Sequence, residues 1–186
     1  MRSSSKDMIT ERGRLKMADR FYIAYGSNLS VQQMAHRTPD AEIVGTAMLK
    51  GWRLLFRQYA TIKRCANFKT PVLVWKISKQ DEKNLDRYEG FPKFYVKKNL
   101  NVDVTALDGN HFGEVTAMVY IMTPEAVEVR RASPLPSDYY FSILSDGYEK
   151  FGFDKKILKK SFEESFRLVF KPESQIIRRA SQPTTA

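Results

Sequence analysis

The order of strand-like and helix-like segments constrains the fold of this chain more than any other feature of its sequence. An apolar run at Phe21–Tyr25 predicts a short buried strand, and the β-branched and aromatic residues of 41–78 predict three or four more. One helix-like segment follows, after which residues 94–106 and 114–122 are again strand-like. Because the strands cluster instead of alternating with helices, the sequence predicts an α+β fold whose mixed or antiparallel sheet closes on itself.

Capping side chains mark where the predicted helices begin. Four residues are suited to this role: Ser30, Ser78, Ser137 and Asp154. The first helix is brief, since Pro39 must end it, and Gln33 is placed to complete a capping box with Ser30. The second ends near Tyr88, which leaves Glu89 at a helix end before a glycine. The last two helices are amphipathic and complete the domain.

The two ends of the chain differ in composition from its middle. Residues 1–18 and 172–186 are polar and lack periodicity, so we predict disordered extensions on either side of one domain at 19–171. The first twenty residues contain no apolar stretch of the kind found in signal peptides, and a single cysteine, Cys65, excludes an internal disulfide. We therefore expect a cytoplasmic protein.

The formal net charge of +10 makes nucleic-acid binding a hypothesis to weigh. About half of this excess lies in residues 1–20 and 171–186, and the Lys and Arg pairs between them are scattered along the chain. We interpret those pairs mainly as solvated faces, and we expect no nucleic-acid partner. Charged residues also interrupt every apolar run within about ten residues, so we expect no membrane span either.

A tight loop with the sequence Tyr25-Gly26-Ser27-Asn28-Leu29 joins the first strand to the first helix. A glycine after a strand lets the chain turn sharply, and it leaves successive backbone N–H groups pointing outward, where they can bind an anion. The helix start that follows favours a carboxylate or a developing oxyanion. Taken alone, these five residues fit an ordinary turn better than a binding site.

Three short motifs change that balance when they are taken together. They are YGSNL at 25–29, LDRYEG at 85–90 and PSDYY at 136–140, and their order and spacing resemble those of the γ-glutamylcyclotransferases and the related AIG2-like proteins. The resemblance extends from about Phe21 to Ile143. It implies a small barrel-like mixed sheet with flanking helices. It also implies an enzyme that cyclises the γ-glutamyl group of a small substrate to 5-oxoproline and releases the attached amine or amino acid.

The resemblance also implies a role for particular side chains. Glu89 would be the catalytic general acid and base, and Tyr140 would line a substrate and oxyanion pocket formed by Tyr25, Gly26, Ser27, Asn28 and Leu29. The substrate's own α-amine is the nucleophile in such a cyclisation, so neither metal nor cofactor is needed. We expect burial among Tyr88, Phe91 and Phe94 to raise the pKa of Glu89 toward neutrality, where one carboxylate can both accept and return a proton.

Several alternatives stay open at this point. A catalytically idle module could use the same pocket to bind a γ-glutamyl compound or another acidic metabolite, and a basic nucleic-acid-associated protein is a less favoured possibility. Cys65 could act as a nucleophile with His36 or His111, but no third group is identifiable. The substrate could be a γ-glutamyl amino acid or a γ-glutamylamine, whereas the YGSNL form argues against the glutathione-specific branch.

Overall fold

A computed structural model of the chain describes residues 20–130 and 135–170. The two predicted extensions, 1–18 and 172–186, lie outside the described residues. The described part is an α+β domain built on a closed barrel, which confirms the predicted fold class. Within residues 20–130 and 135–170, no helix is long and apolar enough to cross a bilayer.

Five strands form the barrel, in the spatial order β1-β3-β2-β4-β5. Their bounds are β1 Arg20–Ala24, β2 Glu42–Arg57, β3 Tyr59–Ile77, β4 Tyr95–Thr105 and β5 His111–Met122. All neighbouring pairs are antiparallel except β1 and β5, which pair in parallel and close the barrel. Because of this topology, the ends of β1 and β5 and the start of β4 meet at one mouth of the barrel.

The prediction of three or four strands in residues 41–78 is wrong in number, because two long strands occupy this stretch. They turn at Gln58, whose φ is 63°. Register shifts at Ile43/Gly45 and Lys50/Trp52 bend β2 without ending it. Gly51 has a φ of 78°, and a Cβ on Gly45 would lie 2.1 Å from the carbonyl oxygen of Thr105. These glycines therefore mark bulges, which resemble strand ends in the sequence.

In residues 20–130 and 135–170, five helices and one 3₁₀ turn accompany the barrel. Their bounds are the 3₁₀ turn Ser27–Leu29, α1 Val31–Arg37, α2 Lys79–Glu89, α3 Pro124–Val129, α4 Asp138–Lys150 and α5 Lys155–Phe170. Ser30, Ser78 and Ser137 cap α1, α2 and α4 as predicted. Asp154 accepts a hydrogen bond from the N–H of Lys156 in the first turn of α5. The short α3 was not predicted, although a Thr123 cap and a proline at its first position are typical start signals.

Capping interactions differ between the two helices that approach the loop after β1. The Oγ of Ser30 accepts the N–H of Gln33 at 3.3 Å, but the predicted capping box is wrong, since Gln33 Oε1 has no hydrogen-bond partner among the described residues. In α2, Ser78 and Asp81 make the full reciprocal box, with bonds of 3.0 and 3.1 Å. The firmly capped helix is therefore the one that ends at Glu89.

The C-terminal end of α2 is also fixed. Gly90 adopts the left-handed conformation with a φ of 65°, as the sequence predicts for a helix stop. A side chain at this position would meet Phe94, since a Cβ would lie 2.5 Å from its ring. Both features favour glycine at this position, where the helix ends directly after Glu89.

Candidate active site

A small polar pocket of about 30 Å³ lies at the barrel mouth where β1, β4 and β5 meet. Ten residues line it: Tyr22, Tyr25, Gly26, Ser27, Asn28, Ala60, Glu89, Tyr95, Tyr120 and Tyr140. Its volume suits about two water-sized groups. The fold thus brings together every predicted site residue except the side chain of Leu29.

Leu29 has a different place. Its side chain is fully buried, and a Cβ added to Gly147 of α4 would lie 2.7 Å from the Cβ of Leu29. Helix α4 therefore packs directly on the 3₁₀ turn. In this position Leu29 anchors the loop, and the loop presents Gly26, Ser27 and Asn28 to the pocket.

Asn28 connects three elements of the site. Its amide nitrogen donates to Tyr22 Oη at 2.7 Å and to Glu89 Oε1 at 3.1 Å, and its amide oxygen accepts from Arg37 Nη1. A guanidinium can only donate, so the oxygen of the amide must face Arg37. The nitrogen is consequently held toward Glu89.

Glu89 is the last residue of α2, and its carboxylate reaches into this pocket. Burial raises its pKa to about 7, although the nearby charge of Arg37 and the hydrogen bond from Asn28 both favour the charged form. The predicted direction of the shift is confirmed. The predicted surroundings are wrong in part, because Tyr88 and Phe91 are 51% and 38% exposed. Asn28 and the tyrosines of the pocket enclose the carboxylate instead.

Arg37 is a part of this site that the sequence analysis did not identify. It ends α1, donates to Ser27 Oγ at 3.3 Å as well as to Asn28, and its Cζ lies 3.5 Å from the centre of the Tyr88 ring. Its second terminal nitrogen donates to the Tyr88 hydroxyl. Its spacing in the sequence could have identified it. Arg37 lies seven residues after Ser30, which is about two helical turns, so both residues lie on the same face of α1.

Asp86 attaches α2 to the barrel three residues before Glu89. Its Oδ1 accepts from the hydroxyl of Tyr120 at 2.6 Å, and its Oδ2 accepts from Lys97 Nζ at 3.0 Å. Tyr120 lies on β5 and Lys97 on β4. These bonds hold the last turn of α2 over the barrel mouth, so the aspartate of the LDRYEG motif positions the helix.

Two hydroxyl groups of the pocket donate to backbone carbonyls. Tyr25 Oη donates to the carbonyl of Tyr120 at 2.5 Å, and Tyr95 Oη donates to that of Ala60 at 3.1 Å. Tyr140 differs, since its oxygen accepts the N–H of Ala60 at 3.1 Å and its own proton can be donated to a ligand. Burial raises the pKa of each of these tyrosines, which keeps them protonated at neutral pH.

A side chain at Gly26 would be crowded. Its φ is −113°, which other residues can adopt, but a Cβ would lie 3.2 Å from Tyr140 Oη and 3.4 Å from the Cβ of Ala60. The sequence analysis expected the glycine to permit a sharp turn. The close approach of Tyr140 gives the physical reason for a glycine at this position.

An outer groove of about 400 Å³ continues from the pocket toward solvent. The two share Ser27, Glu89, Tyr95 and Tyr140, and the groove adds Tyr59, Arg87, Tyr88, Gly90, Phe94 and Arg130. The site therefore has a narrow polar inner part and a wider outer part with aromatic and cationic walls. Glu89 lies where the two parts join.

Sequence comparison assigns this arrangement to a family. Residues 22–141 match the family described as Gamma-glutamyl cyclotransferase, AIG2-like. The chain belongs to this family. The matched range contains the loop, Glu89 and Tyr140, so the family recognised from the three motifs is confirmed.

Individual members of the γ-glutamyl cyclotransferase family are similar over most of the chain. The γ-glutamylcyclotransferase of Mus musculus is 26% identical over 151 residues, which are 75% of each chain. That of Homo sapiens is 29% identical over 144 residues, which are 70% of this chain and 71% of the relative. These similarities support an enzyme of this family.

Solved structures of the same fold agree with the barrel. A structure named Gamma-glutamyl cyclotransferase has a TM-score of 0.62 and 25% identity, and the match covers 77% of this chain and 86% of the other. YkqA of Bacillus subtilis has a TM-score of 0.58 at 18% identity, over 80% of this chain and 54% of that one. The second likeness concerns the fold alone.

Proposed function

We propose that this protein is a γ-glutamylcyclotransferase whose Glu89 acts as both general base and general acid. The observation that carries the proposal is the position of Glu89. Its carboxylate bonds to Asn28 at 3.1 Å in a pocket of tyrosines, and burial raises its pKa to about 7. A group with this pKa is well matched to proton transfer in both directions near neutral pH.

The reaction begins with proton transfer from the α-ammonium of the γ-glutamyl group to the Glu89 carboxylate. The freed amine attacks the γ-carbonyl carbon, a C–N bond forms, and the carbonyl oxygen becomes an oxyanion. The bond to the leaving nitrogen then breaks as that nitrogen takes the proton from Glu89 and the oxyanion returns to a carbonyl. The ring nitrogen gives its second proton to the departing amine, which leaves as an ammonium ion. The products are 5-oxoproline and an amine or amino acid, and Glu89 is again ionised.

Donors around the inner pocket would stabilise the oxyanion. We assign this role to the backbone amides of the loop at Gly26, Ser27 and Asn28, together with the hydroxyl of Tyr140, because these residues line the pocket beside Glu89. The backbone N–H of Ser27 bonds to Tyr140, so it would act by holding this hydroxyl in place. Removing one oxyanion donor typically costs about 100- to 1,000-fold in rate. Tyr25 contributes by fixing the loop to β5 through its bond to the Tyr120 carbonyl.

A panel of γ-glutamyl amino acids, γ-glutamylamines and glutathione tests the proposed reaction. We expect the purified protein to release 5-oxoproline and the partner amine in equal amounts from at least one conjugate. Binding of conjugates without release of 5-oxoproline would favour the alternative, a catalytically idle module for γ-glutamyl or acidic metabolites. Tight, salt-dependent binding of nucleic acid without turnover would favour a basic nucleic-acid-associated protein.

A further inference from the structure

A groove that belongs to neither part of the active site lies beside the hairpin of β2 and β3. This hairpin groove has a volume of about 480 Å³, and β4, β5 and α3 complete its walls. It shares no lining residue with the inner pocket or with the outer groove. The two sites are close in the chain, because Thr61 lines the hairpin groove and the preceding Ala60 lines the inner pocket. The hairpin groove is therefore a separate cavity next to the catalytic one.

Buried apolar side chains form the floor of the hairpin groove. Half-buried residues of β5 and α3 extend this surface. The apolar residues are Trp52, Leu55, Ile62, Ile121, Met122 and Val127. Such a floor favours the apolar part of a ligand, and sites for small molecules typically have volumes of about 300 to 1,000 Å³.

Positive charge surrounds this apolar floor. Arg57, Lys63, Arg64 and Lys98 line the groove, and no acidic residue of the described part of the chain does so. Arg64 and Lys98 are exposed, and the Cζ of Arg64 lies over the Trp52 ring, 5.2 Å from its centre. A guanidinium has five N–H donors and matches the geometry of a carboxylate. A ligand that covers Trp52 can therefore place an anionic group on Arg64.

The whole hairpin contributes to this positive field. Residues 43–80 contain eight Lys and Arg residues and no Asp or Glu. Lys50 lies directly opposite Lys69 in the ladder of β2 and β3, and Arg53 lies opposite Lys63. Like charges in such cross-strand positions destabilise a sheet. An anion bound beside the hairpin would offset part of this repulsion.

We propose that the hairpin groove binds a free fatty carboxylate of medium chain length, with its chain on the apolar floor and its carboxylate on Arg64 and Lys98. Charge disfavours an occupant from the same protein. Residues 1–20 contain six basic and three acidic residues, residues 171–186 contain three and one, and a second copy of the chain carries a net charge of +10. The site shares no residue with the active site, so the inference does not depend on the proposed function.

Two ligands with the same ten-carbon chain and opposite charges test the inference. Calorimetric titration of the full chain with decanoate should show saturable binding of one molecule. Decylammonium should bind at least about 10-fold more weakly, because a hydrogen bond to a charged group typically contributes about 10- to 100-fold in affinity. Shorter carboxylates should lose about fourfold in affinity for each methylene group removed, since less of the floor is covered.

Variants locate the bound decanoate. Arg64→Gln should weaken its binding by about 10-fold or more, and Lys98→Gln should act in the same direction. Both side chains are exposed, so we expect both variants to fold. Arg130→Gln is the matched control, because Arg130 lines the outer groove of the active site, where a carboxylate could also bind. It should keep the wild-type affinity.

Three results would overturn the inference. The first is equal affinity for decanoate and decylammonium, or no binding of decanoate. The second is a loss of affinity in Arg130→Gln with none in Arg64→Gln, which would place decanoate in the active site. The third is binding to vesicles of anionic phospholipid without binding of decanoate, which would assign the cations to a membrane surface.

Discussion

The amide nitrogen of Asn28 lies 3.1 Å from Oε1 of Glu89, across a separation of 61 residues in the chain. This bond joins the loop after β1 to the last residue of α2, and so it joins two of the three motifs. Because the amide oxygen of Asn28 accepts from Arg37, its amide nitrogen faces the carboxylate of Glu89.

Replacing Asn28 with alanine should raise the pKa of Glu89, because the lost hydrogen bond favours the charged form. The base form of Glu89 is needed for the first proton transfer, so the acidic limb of the kcat/KM profile should move to higher pH. A pH profile of 5-oxoproline release measures this. An acidic limb at the wild-type pH in Asn28→Ala would contradict the proposed link between the two residues.

Arg37→Gln should shift the same limb in the same direction, since the positive charge of Arg37 lowers the pKa of Glu89. Arg37→Lys separates charge from geometry. It keeps the charge and should therefore retain much of the wild-type pH profile, but it loses the rigid fork that bonds Asn28 and Ser27. If both variants show identical pH profiles, the charge of Arg37 has no part in setting the pKa of Glu89.

Gly26→Ala should lower kcat/KM, because the added Cβ would lie 3.2 Å from Tyr140 Oη and displace this hydroxyl in the pocket. The free energy of unfolding should change little, since a small shift of one side chain relieves the contact. Tyr140→Phe removes the oxygen that the Cβ meets. In the double variant the added methyl group should therefore cost less than it does in the presence of Tyr140, which a double-mutant cycle on kcat/KM and on the thermal unfolding midpoint measures. Additive effects would show that Gly26 and Tyr140 act independently.

Glu89 should lower the stability of the folded protein above pH 7. Its pKa is about 7 when folded and near the ordinary 4.5 when unfolded, so the unfolded state gives up its proton first as pH rises. The penalty is absent below about pH 4.5, develops up to about pH 7 and then stays constant, at about 3 kcal/mol as an upper value.

Glu89→Gln removes this penalty and keeps an oxygen that can accept from Asn28. The variant should therefore unfold at a higher temperature than the wild type at pH 8, and the gap should shrink toward pH 5. Glu163→Gln is the control, because Glu163 is exposed on α5 and should show no such pH-dependent gap. A wild type as stable as Glu89→Gln at pH 8 would mean that burial of the ionised Glu89 does not destabilise the folded protein.

Local chemistry was enough to predict the caps of α1, α2 and α4 and the stop at Gly90, because these depend on neighbours in the sequence. The closed α+β sheet was predicted from the order of the segments and from the family resemblance. Features that depend on tertiary contact were missed. Gly51 resembled a strand end in the sequence, but it marks a bulge. Strand β2 continues through it because it pairs with β3 on both sides. Arg37 resembled an ordinary basic residue at a helix end, since its partners on the loop and on α2 meet it only after folding.

The most direct test of the account is the rate of 5-oxoproline release by the wild type and by Glu89→Gln on the same γ-glutamyl conjugate, with Glu163→Gln alongside. General acid–base catalysis contributes about 100- to 10,000-fold, so Glu89→Gln should lose at least 100-fold in kcat while it still binds the conjugate and unfolds cooperatively. Glu163→Gln should match the wild type. A Glu89→Gln protein that keeps more than about a tenth of the wild-type kcat would contradict the assignment of Glu89 as the group that carries the proton.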